Sequence, residues 1–166
     1  DITAEFKEMF EKIWPEALKK VKALAEGSAK TIITVEAEVN APVEKVWNSW
    51  TAPEHITQWN QASDDWHCPK AENDLRTGGK FSSTMAAKDG SFSFDFGGTH
   101  DEVTKHKTIY STLGDGRKMN ASFEEKDGKT TVTESFEAES MNSLELQRFG
   151  WQSILNNFKK YTESLN

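Results

Sequence analysis

The spacing of apolar positions changes twice along the chain. Through residues 2–26 it is helical. Ile2, Phe6, Met9, Ile13, Ala17 and Leu24 make one row, and Phe10, Trp14 and Val21 belong to a second that overlaps it. Glu5, Glu8, Lys12, Glu16, Lys19 and Lys22 lie largely opposite, so the segment predicts an amphipathic helix. Pro15 kinks or interrupts it, because the ring removes a hydrogen bond and crowds the preceding turn. Gly27-Ser28-Ala29 ends it in a short link.

From Thr31 the period becomes two. Ile33, Val35, Ala37 and Val39 alternate with Thr34, Glu36, Glu38 and Asn40, which predicts a half-buried strand. Pro42 opens a helical stripe of Val43, Val46, Trp47 and Trp50. Thr51-Ala52-Pro53-Glu54 has the capping-box pattern and predicts a second short helix to about Trp59. Residues 60–78 are polar and irregular, a long loop with room for a short strand. Then Phe81, Ser83 and Met85 alternate up to a Lys88-Asp89-Gly90 turn. Phe92, Phe94 and Phe96 share one face of the next strand, and Gly97-Gly98 predicts a bulge or bend. Residues 107–113, 117–126 and 129–138 complete an antiparallel meander, each connection being too short for a parallel crossover. A helix from about Asn142 to Leu165 closes the chain, with Asn142 and Glu145 as the expected cap pair. The spacing return gives an α+β class, with an appended helix and linker at 1–28 and one domain at 29–166.

Composition sharpens this picture. Only 36% of residues are hydrophobic, but six Trp and ten Phe concentrate that content in large side chains. Such rings close a core with few residues, and they line cavities too wide for aliphatic ones. The formal charge of −7 argues against nucleic acid or an anionic membrane as partner. Cys68 is the sole cysteine, so no intramolecular disulfide forms and a reducing, cytoplasmic setting is expected. No apolar run approaches the roughly 18 residues of a membrane span. No signal peptide is visible at Asp1; the missing initiator Met leaves processing, trimming or a cleaved leader open.

Particular words in the sequence resemble a known family. They are Val39-Asn-Ala-Pro-Val-Glu-Lys-Val-Trp47, Pro53-Glu54-His55-Ile56 with Trp59, Asp64-Asp65-Trp66-His67 and Gly78-Gly79-Lys80-Phe81. Asp89-Gly90-Ser91-Phe92 with Phe94, and Gln147-Arg148 with Gly150-Trp151, complete the set. Over residues 31–163 the chain resembles the activator of heat-shock protein 90 ATPase homologue-like family, within the START-like (SRPBCC) superfamily. The resemblance implies a helix-grip fold, a curved antiparallel sheet around the long C-terminal helix with a cavity between them. Relatives in the wider superfamily bind lipids, sterols, polyketides or plant hormones there. The co-chaperone that names the family carries a separate N-terminal domain for its chaperone contact. Residues 1–30 are too short to be that domain, so chaperone activation is not expected.

Periodicity and resemblance together nominate the ligand-binding residues. Phe81, Met85, Phe92, Phe94, Phe96, Met119, Phe123 and Phe136 project from one sheet face, and Trp151, Leu155 and Phe158 cover it from the helix. The bland alternative is complete interdigitation with no cavity. Trp66 is expected to anchor the 60–78 loop over the entrance. Alternation places Glu134 inward, between Val132 and Phe136, where a carboxylate must be paired, protonated or wetted. Arg148 or Arg117 is its expected partner; orienting a ligand is the other role.

Other chemistry is thin. His100 and Glu134 are the weak catalytic candidates, a pair for a cyclase- or hydratase-like activity as in some superfamily cousins. Asp64, Asp65, His67 and Cys68 fit no zinc spacing, and Cys68 beside His67 does not establish a nucleophile. Gly78-Gly79 lacks what a phosphate loop needs downstream. No metal or cofactor is expected. The leading expectation is non-catalytic binding of a small apolar molecule. The alternatives are that enzyme, or a protein-interaction module, co-chaperone-like or docking through residues 1–26. That helix either packs on its own domain, forms a dimer or partner interface, or lies on a membrane surface.

Overall fold

The computed structural model describes residues 31–165. The expected helix at 2–26 and the link to residue 30 lie outside the described residues. Seven strands form one antiparallel sheet in the order β1-β7-β6-β5-β4-β3-β2. They are β1 Ile32–Val39, β2 Trp66–Asn73, β3 Lys80–Ala87, β4 Ser93–Thr104, β5 Thr108–Leu113, β6 Lys118–Lys126 and β7 Lys129–Glu137. Helices α1 Val43–Thr51 and α2 Pro53–Trp59 bridge β1 to β2, and α3 Leu144–Ser164 lies against the sheet's inner face. The last strand of the meander, β7, returns to pair with β1 in the register Val35↔Glu134, leaving β1 and β2 at the two edges of the sheet.

Local chemistry explains most of these elements. In β1, Ile33, Val35 and Val39 are buried while Thr34, Glu36 and Glu38 face solvent. Asp127 and Gly128 both take positive φ, 55° and 79°, giving the two-residue turn that suits the twist of β6 and β7. The free edge of β1 is blunted by α3, from which Arg148 and Gln152 donate to the Thr34 and Glu36 carbonyls. At the far end of α3, Lys45 reaches the Leu165 carbonyl. Trp50, Trp59, Phe123 and Phe158 pack together where α1 and α2 meet α3, at ring separations of 4.9–5.7 Å. Among the described residues no helix is long and apolar enough to cross a membrane.

Four local expectations need correction. Residues 60–78 hold a full eight-residue strand, β2, at the sheet edge. Its register slips between His67 and Lys70, around Pro69, so inward positions run Trp66 and Cys68, then Ala71 and Asn73. The slip breaks the period of two and hid the strand. Gly97-Gly98 is not a bulge: β3 and β4 stay in register through it, and the slip against β5 falls between His100 and Glu102. The glycines serve close backbone approach instead, because a Cβ at Gly97 would overlap the Phe81 carbonyl and one at Gly98 the Thr112 carbonyl. The cap of α3 is Ser143, whose Oγ accepts from Leu146 N at 3.0 Å; Asn142 donates to Glu139 instead. Thr51 makes no capping box, since its hydroxyl donates to the Trp47 carbonyl and α2 starts on Pro53.

Candidate functional site

Between the inner sheet face and α3 lies a cavity of about 390 Å³. Complete interdigitation of the core is therefore not what forms. Small inward residues leave the space: Ser83 on β3, Ser111 on β5, Ala121 on β6 and Gly150 on α3 all line it. Larger residues complete the wall, with Trp50, Ile56 and Trp59 at the α1–α2 end and Leu146, Trp151 and Ile154 from α3.

The nominated ligand-binding residues divide into two groups. Phe81, Met85, Phe94, Phe96, Met119, Glu134 and Trp151 line the cavity. Trp66, Phe92, Phe123, Phe136, Leu155 and Phe158 do not. Phe136 is buried behind Trp151, its ring stacked at 3.8 Å. Leu155 and Phe158 are fully buried, with Phe158 packed on Trp50 and Trp59, and Phe123 sits edge-on to Trp47. Phe92 precedes β4 and is 58% exposed. Trp66 sits on β2 rather than in a loop, in an aromatic cluster with Phe92 and Phe94.

Polar groups on the wall are mostly committed to one another. Asn73 Nδ2 donates to the Thr51 carbonyl, which turns its amide oxygen toward His100 Nε2 at 2.7 Å. His100 Nε2 is then the donor, and Nδ1, 3.2 Å from Ser111 Oγ, accepts from that hydroxyl. Burial lowers the imidazole's pKa, partly offset by Asp74 and Asp101, so the neutral ring fits this arrangement. The ring also stacks on Phe81 at 4.7 Å. Arg117 is held by Asp115 at 2.6 Å and by the Glu137 carbonyl at 3.1 Å. Glu139 accepts from both Asn142 nitrogens, and Glu72 pairs with Lys70 at 3.3 Å. Gln147 clasps the β7–α3 connection through Glu139 and Asn142.

Glu134 stands apart. It is 5% exposed and lines the cavity, yet among the described residues its carboxyl takes no hydrogen bond or ion pair. Neither expected arginine reaches it: Arg148 turns outward to the Thr34 carbonyl and Arg117 is occupied as above. Desolvation alone pushes its pKa up to about 8, so the neutral acid predominates at pH 7.

His100 and Glu134 both line the cavity, but from well-separated strands. Their strands, β4 and β7, are three apart in the sheet, about 14 Å along it. His67 and Cys68 point to opposite faces of β2, the first exposed and the second buried. Among the described residues no three His, Cys, Asp or Glu side chains converge as metal ligands.

Comparison with known proteins agrees with this architecture. Residues 40–163 match the family model described as Activator of Hsp90 ATPase homolog 1-like protein. An AHSA1-like protein from Aeromonas hydrophila is 42% identical, with a TM-score of 0.76 over 81% of this chain and 93% of its own. A protein from Cytophaga hutchinsonii is 55% identical, with a TM-score of 0.69 over 79% of this chain and 91% of its own. One from Chromobacterium violaceum shares 19% identity and the fold, with a TM-score of 0.73 over 81% of this chain and 99% of its own. Comparison with curated proteins found no match. A curled seven-stranded sheet gripping one long helix, matched in sequence over most of its length, places the chain in the Activator of Hsp90 ATPase homolog 1-like family, with its START-like helix-grip fold.

Proposed function

We propose that the protein binds a small, largely apolar molecule in the cavity beneath Trp151, with Glu134 orienting its polar group. The cavity itself carries this reading. Its roughly 390 Å³ falls within the range of small-molecule sites, and its wall is mainly aromatic and aliphatic. Left unfilled by side chains, a space of this size costs on the order of several kcal/mol in packing. An apolar occupant recovers part of that cost. The fold is also one that hosts hydrophobic ligands.

No observation favours catalysis, because His100 spends both ring nitrogens on Asn73 and Ser111. A partner role for residues 1–26 would act outside the described residues. Native mass spectrometry of the purified chain tests the binding reading. A retained small molecule is expected, and Gly150→Leu should lose it. A Cβ at Gly150 meets nothing within 4 Å, so the larger side chain can enter the cavity while raising helix propensity. A ligand equally retained by Gly150→Leu would contradict the proposal.

A further inference from the structure

The charges around the cavity restrict what its polar group can be. Two acidic residues, Glu134 and Glu139, line it against one guanidinium, Arg117, while Glu72 turns its carboxylate out to Lys70. That guanidinium is already engaged by Asp115 and the Glu137 carbonyl, and His100 is held neutral by burial. A carboxylate ligand would therefore find no uncommitted cation on the described wall, and would meet acidic groups instead. An ammonium finds the opposite environment.

Glu134 is the group that would receive it. Across the sheet it faces uncharged Val35 on β1 and Ala121 on β6. The α3 residues on the cavity wall, including Trp151 and Ile154, are uncharged too. A carboxyl in that position is 5% exposed and has no partner of its own among the described residues. Trp50, Trp59, Trp151 and Phe81 make the wall aromatic, and aromatic rings attract cations once water is excluded. We infer that the ligand is an amphiphilic amine, its ammonium seated on the Glu134 carboxylate and its chain among the rings, and that fatty-acid-like carboxylates are rejected. This rests on the cavity being the binding site.

The proton balance follows. The resting carboxyl is mostly protonated at pH 7, since its pKa is raised to about 8. An alkylammonium that binds forms an ammonium–carboxylate pair, and the displaced carboxyl proton goes to water. Charge-assisted pairing outweighs that proton loss where the pair is shielded from solvent.

Three probes with the same chain separate the possibilities: n-dodecylamine, n-dodecanol and lauric acid. Each is titrated calorimetrically at pH 7, below its solubility limit or the concentration at which it aggregates. The amine should bind about tenfold or more tighter than the alcohol, and the acid weakest. Repeating the amine titration in two buffers of different ionisation enthalpy should reveal release of close to one proton, a count that needs no variant. Glu134→Gln should bring the amine down to about the alcohol's affinity. Lauric acid binding as tightly as the amine, no proton release, or an amine preference that survives Glu134→Gln overturns the amine assignment alone. If none of the three probes binds, the cavity reading falls with it.

Discussion

Burying a carboxyl without a partner makes the stability of this fold depend on pH. Glu134 titrates near 4.5 when exposed and at about 8 in the fold. Between those values the folded state keeps a proton that the unfolded chain has lost, so stability falls as pH rises through that window and levels above it. Glu134→Gln removes the titration. Urea unfolding at steps from pH 4.5 to 8 should show the variant gaining on the parent by a few kcal/mol across the window. Parallel profiles would mean that the carboxyl is solvated or paired. His100 contributes with the opposite sign: its depressed pKa costs stability as pH falls below 6.5, equally in both proteins. Cys68 supplies a second check at this scale. It is 2% exposed, its thiol faces the Lys70 carbonyl, and burial raises its pKa. Iodoacetamide should label it roughly a hundredfold or more slower in the native protein than in denaturant. Comparable rates would show β2 open in solution.

The elements show where local pattern is enough and where it is not. Strand β1 is legible from its alternation, and the alternation of β7 is enough to put Glu134 inward. Strand β2 could not, because the slip around Pro69 moves its inward positions from even to odd numbers. At the start of α3 two neighbouring residues both suit a cap. Ser143 takes the role because its Oγ reaches Leu146 N, while Asn142 is drawn to Glu139. Gly97 and Gly98 signalled a departure from ordinary strand geometry but not its kind, since close approach by neighbouring backbones leaves no mark on periodicity. That approach predicts a large effect. Gly98→Ala should destabilise the protein by about 3 kcal/mol or more, because the methyl meets the Thr112 carbonyl, which has no room to move within the sheet. Chemical denaturation measures it, and a change below 1 kcal/mol would mean that β4 and β5 adjust freely.

For the whole molecule, the site was half legible for a physical reason. Large rings were easy to find in the sequence, and several do line the cavity. Yet Phe123, Phe136, Leu155 and Phe158 fill the core beside it. What opens the space is the small residues among them, Ser83, Ser111, Ala121 and Gly150, each unremarked on its own strand or helix. Their effect depends on the curl of the sheet, which brings distant strands to face one helix. The signal was present in α3, where Leu146, Gly150 and Ile154 recur every four residues, but its meaning needed the opposite wall. The most direct test of the central claim is an NMR titration of the isotopically labelled protein with n-dodecanol. Saturable shifts should centre on Met85, Ile109, Met119, Ala121 and Ile154, the cavity wall. Shifts confined to Trp66 and Phe92, outside the cavity, or none at all, would contradict the account.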